Sequence, residues 1–158
     1  MIIMDIEASG LAPESYPIEV AWRHRSNPKL CDSFLIKPAK DWLFWDQYAE
    51  YRIHHISRTE LETCGISVTE AANRLNLALR GKTAYTDAPE YDRGWISVLF
   101  KSAGIERGFE IRSVFTLVPP SKEAAFRRHF VQKPVAHRAM EDVVQIIGSL
   151  NYISPDGA

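Results

Sequence analysis

The segment IIMDIEASGL, residues 2 to 11, has the apolar density of a strand meant for the middle of a sheet, yet it carries Asp5 and Glu7. Period-2 strand geometry turns both carboxylates to one face, with Cβ atoms about 6.5–7 Å apart, and sends Ile6 to the other. Two anions this close repel each other and cost several kcal/mol to bury unless a cation of higher charge lies between them. A divalent metal is the direct compensation. The turn ASG follows at once, and the carboxyl end of a central strand is where open α/β sheets hold ligands.

The rest of the chain supplies elements to surround that strand. Alternation in PIEVAWRHR (17 to 25) and LCDSFLIKP (30 to 38), on either side of SNP, predicts two strands joined by a tight turn. With residues 1 to 7 they make three antiparallel strands. WDQYAEYRIH (45 to 54) and SVTEAANRLNLALRG (67 to 81) read as helices, the second with Ser67 as N-cap, Glu70 in a capping box and Gly81 as its stop. KTAYTD (82 to 87) predicts a short strand. DAPEYDRGWISVLFKSAG predicts a helix capped by Asp87, with Pro89 in its first turn and Gly104 at its end. FEIRSV (109 to 114) is a last strand, helices follow over 121 to 132 and 138 to 150, and SPDGA is a frayed tail. Three antiparallel strands followed by parallel ones, flanked by helices, make an α/β mixed sheet in one domain over residues 1 to 150, with a tail at 151 to 158.

Composition narrows the function classes. At 158 residues, 46% hydrophobic and 25% charged, the chain is one ordinary globular domain. No stretch approaches the ~20 apolar residues of a membrane span, and an acid at position 5 leaves no room for a signal peptide, so a cytoplasmic protein without a membrane partner is expected. A net charge of −1 argues against a broad basic face for duplex DNA. One segment is basic: Lys122, Arg127, Arg128, Lys133 and Arg138 stand against the single acid Glu123, either to meet a phosphate-bearing ligand or as a solvated helix face. Cys31 and Cys64 match no metal-ligand spacing and are expected to be reduced and mostly buried.

Two acids hold a hard cation poorly, so others must converge. Asp92 shares a helical face with Trp95, Ile96 and Leu99, and Asp142 lies between Ala139 and Ile146, so each points toward packed surface from the start of a helix. An oxygen-only donor set suits Mg²⁺ or Mn²⁺ rather than Zn²⁺. His137, five residues before Asp142, can sit over such a site from a loop and accept a proton from water. In WLFWDQYAEY, the residues Trp42, Phe44, Trp45, Tyr48 and Tyr51 offer core packing, homodimer formation or stacking on unpaired bases.

Three motifs in order carry a resemblance. DIEASGL resembles the D-x-E-t-t-G-l first motif of the DnaQ-like 3′–5′ exonucleases, YTDAPEYDRGWI the second, and AHRAMEDV the H-x4-D third motif of their histidine-bearing, ribonuclease T-like (DEDDh) branch. Ala8 and Ser9 replace the usual threonines, and Asp87 stands five rather than four residues before Asp92. Asp92 is the preferred second-motif acid because it follows an aromatic. The resemblance implies a ribonuclease H-like fold and two Mg²⁺ or Mn²⁺ ions, held by Asp5, Glu7, Asp92 and Asp142, with His137 taking the proton of the attacking water. It implies a substrate of single-stranded DNA or RNA 3′ ends or short oligonucleotides, with nucleoside 5′-monophosphates released. Neutral to mildly alkaline pH would favour that reaction. It also places the turn at Ala8 and Ser9 near the terminal sugar, Leu11 against the last bases, and His54 or His55, in RIHHISRTEL, near the nucleic acid. A non-catalytic nucleic-acid-binding module of the same fold and a phosphoesterase acting on small nucleotides are the alternatives.

Overall fold

The computed structural model describes residues 1–131 and 137–154, so Lys133 and the end of the expected frayed tail lie outside the described residues. Five strands, β1 (Ile2–Ala8), β2 (Pro17–His24), β3 (Asn27–Leu35), β4 (Thr83–Thr86) and β5 (Glu110–Ser113), form one sheet in the order β3-β2-β1-β4-β5. β1 pairs antiparallel with β2 and parallel with β4, while β2 and β3 are antiparallel and β4 and β5 parallel. The acid-bearing strand is therefore central, as its apolar density requires. β3 starts three residues earlier than its alternation predicts, because His24 already pairs with Asn27 and the turn spans only Arg25 and Ser26.

Six helices are described: α1 (Gln47–Ala49), α2 (Arg58–Cys64), α3 (Val68–Leu79), α4 (Pro89–Ala103), α5 (Glu123–Val131) and α6 (Ala139–Ile153). Their ends follow local chemistry. Ser67 Oγ accepts the Glu70 N–H at 3.2 Å to start α3, and Gly104 ends α4 at φ 65°, where a Cβ is disfavoured. The helix expected over 45 to 54 is instead three α-helical residues running into a π-helical turn at Glu50–His54. The expected Asp87 cap is also absent, since the residue before α4 is Ala88, which makes no side-chain cap bond. Helix α2 was not predicted, because it buries only Leu61 and has no apolar periodicity. Cys31 and Cys64 are both exposed, the first on edge strand β3 and the second at the end of α2, contrary to the buried thiols expected.

The sheet separates two apolar layers. Ile2, Met4 and Ile6 pack with Leu75 and Leu79 of α3 and with Ile96 and Leu99 of α4. Ile3 and Ala21 pack on the opposite side with Val143, Ile146 and Leu150 of α6 and Phe126 of α5. Asp5 and Glu7 extend the row begun by Ile3, by strand alternation. Across β2, Ala21 pairs with Asp5 and Glu19 with Glu7. Apolar packing under α6 thus gives way to carboxylates toward the end of β1, beside the start of that helix.

Candidate metal centre

Three residues far apart in the sequence meet there, while Asp5 and Asp92 lie outside this group of three. Donor atoms of Glu7, His137 and Asp142 all lie within 4.8 Å of one another, a spacing that one ion could bridge. Asp5 as a whole residue is partly exposed although its carboxyl is enclosed, whereas Glu7, Asp92 and Asp142 are buried outright. The first turn of α4 brings in Asp92, and that of α6 brings in Asp142. His137 precedes α6 with φ 48°, a left-handed conformation uncommon for a residue with a Cβ. Among the described residues, Asp92 Oδ2, Asp142 Oδ1 and the Thr86 hydroxyl are buried without a hydrogen-bond partner.

The electrostatics is that of anions lacking a counter-charge. Burial first, then Asp92, Glu7, Asp87 and Asp142, push the Asp5 carboxyl well above the usual range. Glu7 is pushed to about 8 by burial, Asp142 and Glu19, with Arg138 opposing. Burial, with Asp87 and Glu90, takes Asp92 to about 8, while burial and Asp87 take Asp142 to about 7. Asp87 is itself raised, by burial, and adds to the field at Asp5, Asp92 and Asp142. Its place is thus electrostatic rather than that of a helix cap. Unpartnered carboxylate oxygens and an oxygen-rich donor set fit a hard divalent cation, which would reverse these shifts.

The remaining candidates surround this cluster unevenly. Ser9 is fully buried, its N–H donating to the Tyr16 carbonyl at 2.9 Å and its Oγ accepting from the Tyr16 N–H at 3.2 Å. Ala8 is buried too, so this part of the turn is tied to the fold. At Gly10, with φ 153°, a Cβ would come within 2.8 Å of Phe44 and 2.9 Å of Asp46, so only glycine lets the turn dock there. Leu11 is 71% exposed and lies at the edge of a cleft of about 260 Å³, lined also by the stacked rings of Tyr91 and Trp95. His54 is buried at the end of the π-helical turn, packed edge-on to Trp45. Its Nδ1 accepts the Ile56 N–H, and burial lowers its pKa to about 4, which keeps the ring neutral with its proton on Nε2.

The aromatic segment divides by burial. Trp42 is buried and stacked on Tyr16, whereas Tyr48 and Tyr51 are exposed. The basic segment is largely engaged within the protein: Arg127 pairs with Glu123, Lys122 donates to the Ile153 carbonyl and Arg138 pairs with Glu19.

The fold of the chain recurs in solved structures. The chain superimposes on zinc-bound E. coli exonuclease I in complex with single-stranded DNA (TM-score 0.72, 16% identity) over 98% of its own length and 41% of the other. The same enzyme in complex with a dT13 oligonucleotide matches with TM-score 0.71 and 15% identity over 95% of this chain and 40% of that one. The moderately thermophilic exonuclease I of Methylocaldum szegediense matches with TM-score 0.70 and 16% identity, over 98% and 41%. The fold is that of the matched part of exonuclease I. The chain spans about two fifths of the length of these exonuclease I chains. No family model and no curated protein matches the sequence.

The sequence alone does not mark Glu19 as a neighbour of these acids. Its signal in the sequence was an acid between apolar neighbours in PIEVAW, but its register against Glu7 becomes visible only when the hairpin is formed.

Proposed function

We propose that the chain is a metal-dependent 3′–5′ exonuclease domain acting on single-stranded nucleic acid or short oligonucleotides. The observation that carries this reading is the meeting of Glu7, His137 and Asp142 at the end of the central strand, with Asp5 and Asp92 adding their charge to the same cluster of acids, in a fold shared with exonuclease I. Asp5, Glu7, Asp92 and Asp142 would hold Mg²⁺ or Mn²⁺ ions. When bound, two such cations supply positive charge to the attacking and leaving oxygens of an in-line phosphoryl displacement. His137 takes the proton of the attacking water, and Asp142, held by α6, keeps its place beside that histidine. Leu11, with Tyr91 and Trp95 behind it, offers an apolar contact to unpaired terminal bases.

Digestion of matched 5′-labelled DNA and RNA single strands tests this. With Mg²⁺ or Mn²⁺ the strands should shorten from the 3′ end and release nucleoside 5′-monophosphates, and EDTA should stop the reaction. Full activity in excess chelator, or products bearing 3′-phosphates, would overturn it.

The same assay separates the two neighbouring aspartates. Asp92→Ala is expected to lower turnover by orders of magnitude. Asp87→Asn should keep measurable turnover and leave the melting temperature of the chelator-treated protein at pH 8 unchanged or higher, since it removes one anion from the cluster. The reverse pattern would make Asp87 the second-motif acid.

A further inference from the structure

Glu19 is 4% exposed, opposite Glu7 on β2. A carboxylate there would add to the repulsion at the site, yet it has a cationic partner. Arg138 donates from Nη2 to Glu19 Oε1 at 2.8 Å and from Nε to Oε2 at 3.1 Å. The Ala139 N–H, the first of α6, donates to the same Oε2 at 3.0 Å. Arginine carries no acceptor and cannot cap the helix it precedes, so a carboxylate from another strand does so instead. One side chain on the sheet therefore grips both the side chain and the following backbone of the residue between His137 and α6.

We propose that Glu19 and Arg138 are positioning residues: their clamp sets His137 and the first turn of α6 against Glu7, and so aligns the proton acceptor with the carboxylates in the reaction proposed above. The backbone of His137, at φ 48°, is a conformation that persists only where the surroundings hold it, and the residue that follows it is the one held. A bidentate arginine–carboxylate pair fixes direction as well as distance, which a single hydrogen bond would not. Glu19 and Arg138 act through His137 and Asp142 and take no part in the reaction themselves.

Glu19→Leu, Glu19→Gln and Arg138→Met test the clamp through steady-state kinetics on a labelled oligonucleotide and through the NMR resonance of the His137 Cε1–H, assigned by its loss in His137→Gln. Glu19→Leu should lower kcat by ~10- to 100-fold with KM within about 3-fold, and should move the His137 resonance. Glu19→Gln keeps one acceptor oxygen, enough for Arg138 Nε and the Ala139 N–H, but turns an NH2 toward Arg138 Nη2 and so loses the fork. It should therefore fall between wild type and Glu19→Leu in both kcat and resonance position. A folded Glu19→Leu protein with wild-type kcat and an unmoved resonance would overturn the proposal. A rise in KM alone would do so too, by making the pair a substrate contact. If Glu19→Leu does not fold, Arg138→Met is read by the same two measurements, and no change in either rejects the clamp. A wild-type protein that cleaves no oligonucleotide would remove the nuclease reading, while the resonance still decides the clamp.

Discussion

Asp5→Asn is expected to abolish nuclease turnover and, at the same time, to raise the melting temperature of the chelator-treated protein at pH 9. Loss of turnover alone would follow from damage to the fold, so the opposite movement of stability is the informative half. Carboxyls of the unfolded chain ionise near pH 4, whereas in the folded protein Glu7 and Asp92 hold their protons to about 8 and Asp142 to about 7. The unfolded state thus binds fewer protons between those limits. The stability contributed by these groups is complete below about pH 4 and is lost as the pH rises through about 7 to 8. Asparagine at position 5 removes a carboxyl whose ionisation is opposed by burial and by the acids around it. In the wild-type protein, Mg²⁺ or Mn²⁺ should restore melting temperature at pH 9, and Asp5→Asn should blunt that rescue. Thermal melts between pH 5 and 9, with and without cation, measure all of this. A large fall in melting temperature for the cation-free variant would instead make Asp5 a structural residue.

His137→Ala is expected to lower kcat by ~10²- to 10⁴-fold, the range for loss of a positioned general base, with KM changed little. Its imidazole lies within 4.8 Å of donor atoms on both Glu7 and Asp142, close enough either to take a proton at the site or to serve as a ligand. Calorimetric titration with Mn²⁺ separates these roles. As a proton acceptor, His137 can be removed with cation affinity almost intact; a loss of affinity matching the loss of kcat would make it a ligand, and wild-type kcat would remove it from the mechanism.

The legible parts of the fold were those whose signal is local and repeated. Apolar density announced β1, alternation announced β2 and β3, and the Ser67 cap announced α3, because an apolar run, a period of two or a capping hydroxyl acts within a few residues. What stayed hidden depended on distant partners. Helix α2 anchors through Leu61 alone, and the π-helical turn before it has no compositional mark. At the candidate site, Glu7, Asp142 and His137, singled out by type and spacing, stand together, while Asp5 and Asp92 lie outside that group of three. Asp87 and Glu19 could not be placed, since one acts through the field it adds and the other through register against Glu7. Leu11 is exposed at a cleft, while His54 is buried, although sequence put both near substrate.

The contact from Glu19 to Arg138 spans 119 positions along the chain, and Glu7 meets Asp142 across a similar interval. Such long loops are closed at an entropic cost that local contacts do not meet. A growing polypeptide makes Asp5 and Glu7 early, and can pair β1 with β2 soon afterwards, but it has no complete acidic pocket until α6 has been synthesised and docked. During that interval the two carboxylates can remain hydrated or protonated, and capture of a cation by the proposed site would have to follow the docking of α6. The ability to act on nucleic acid would then arise only once nearly the whole domain has emerged from the ribosome.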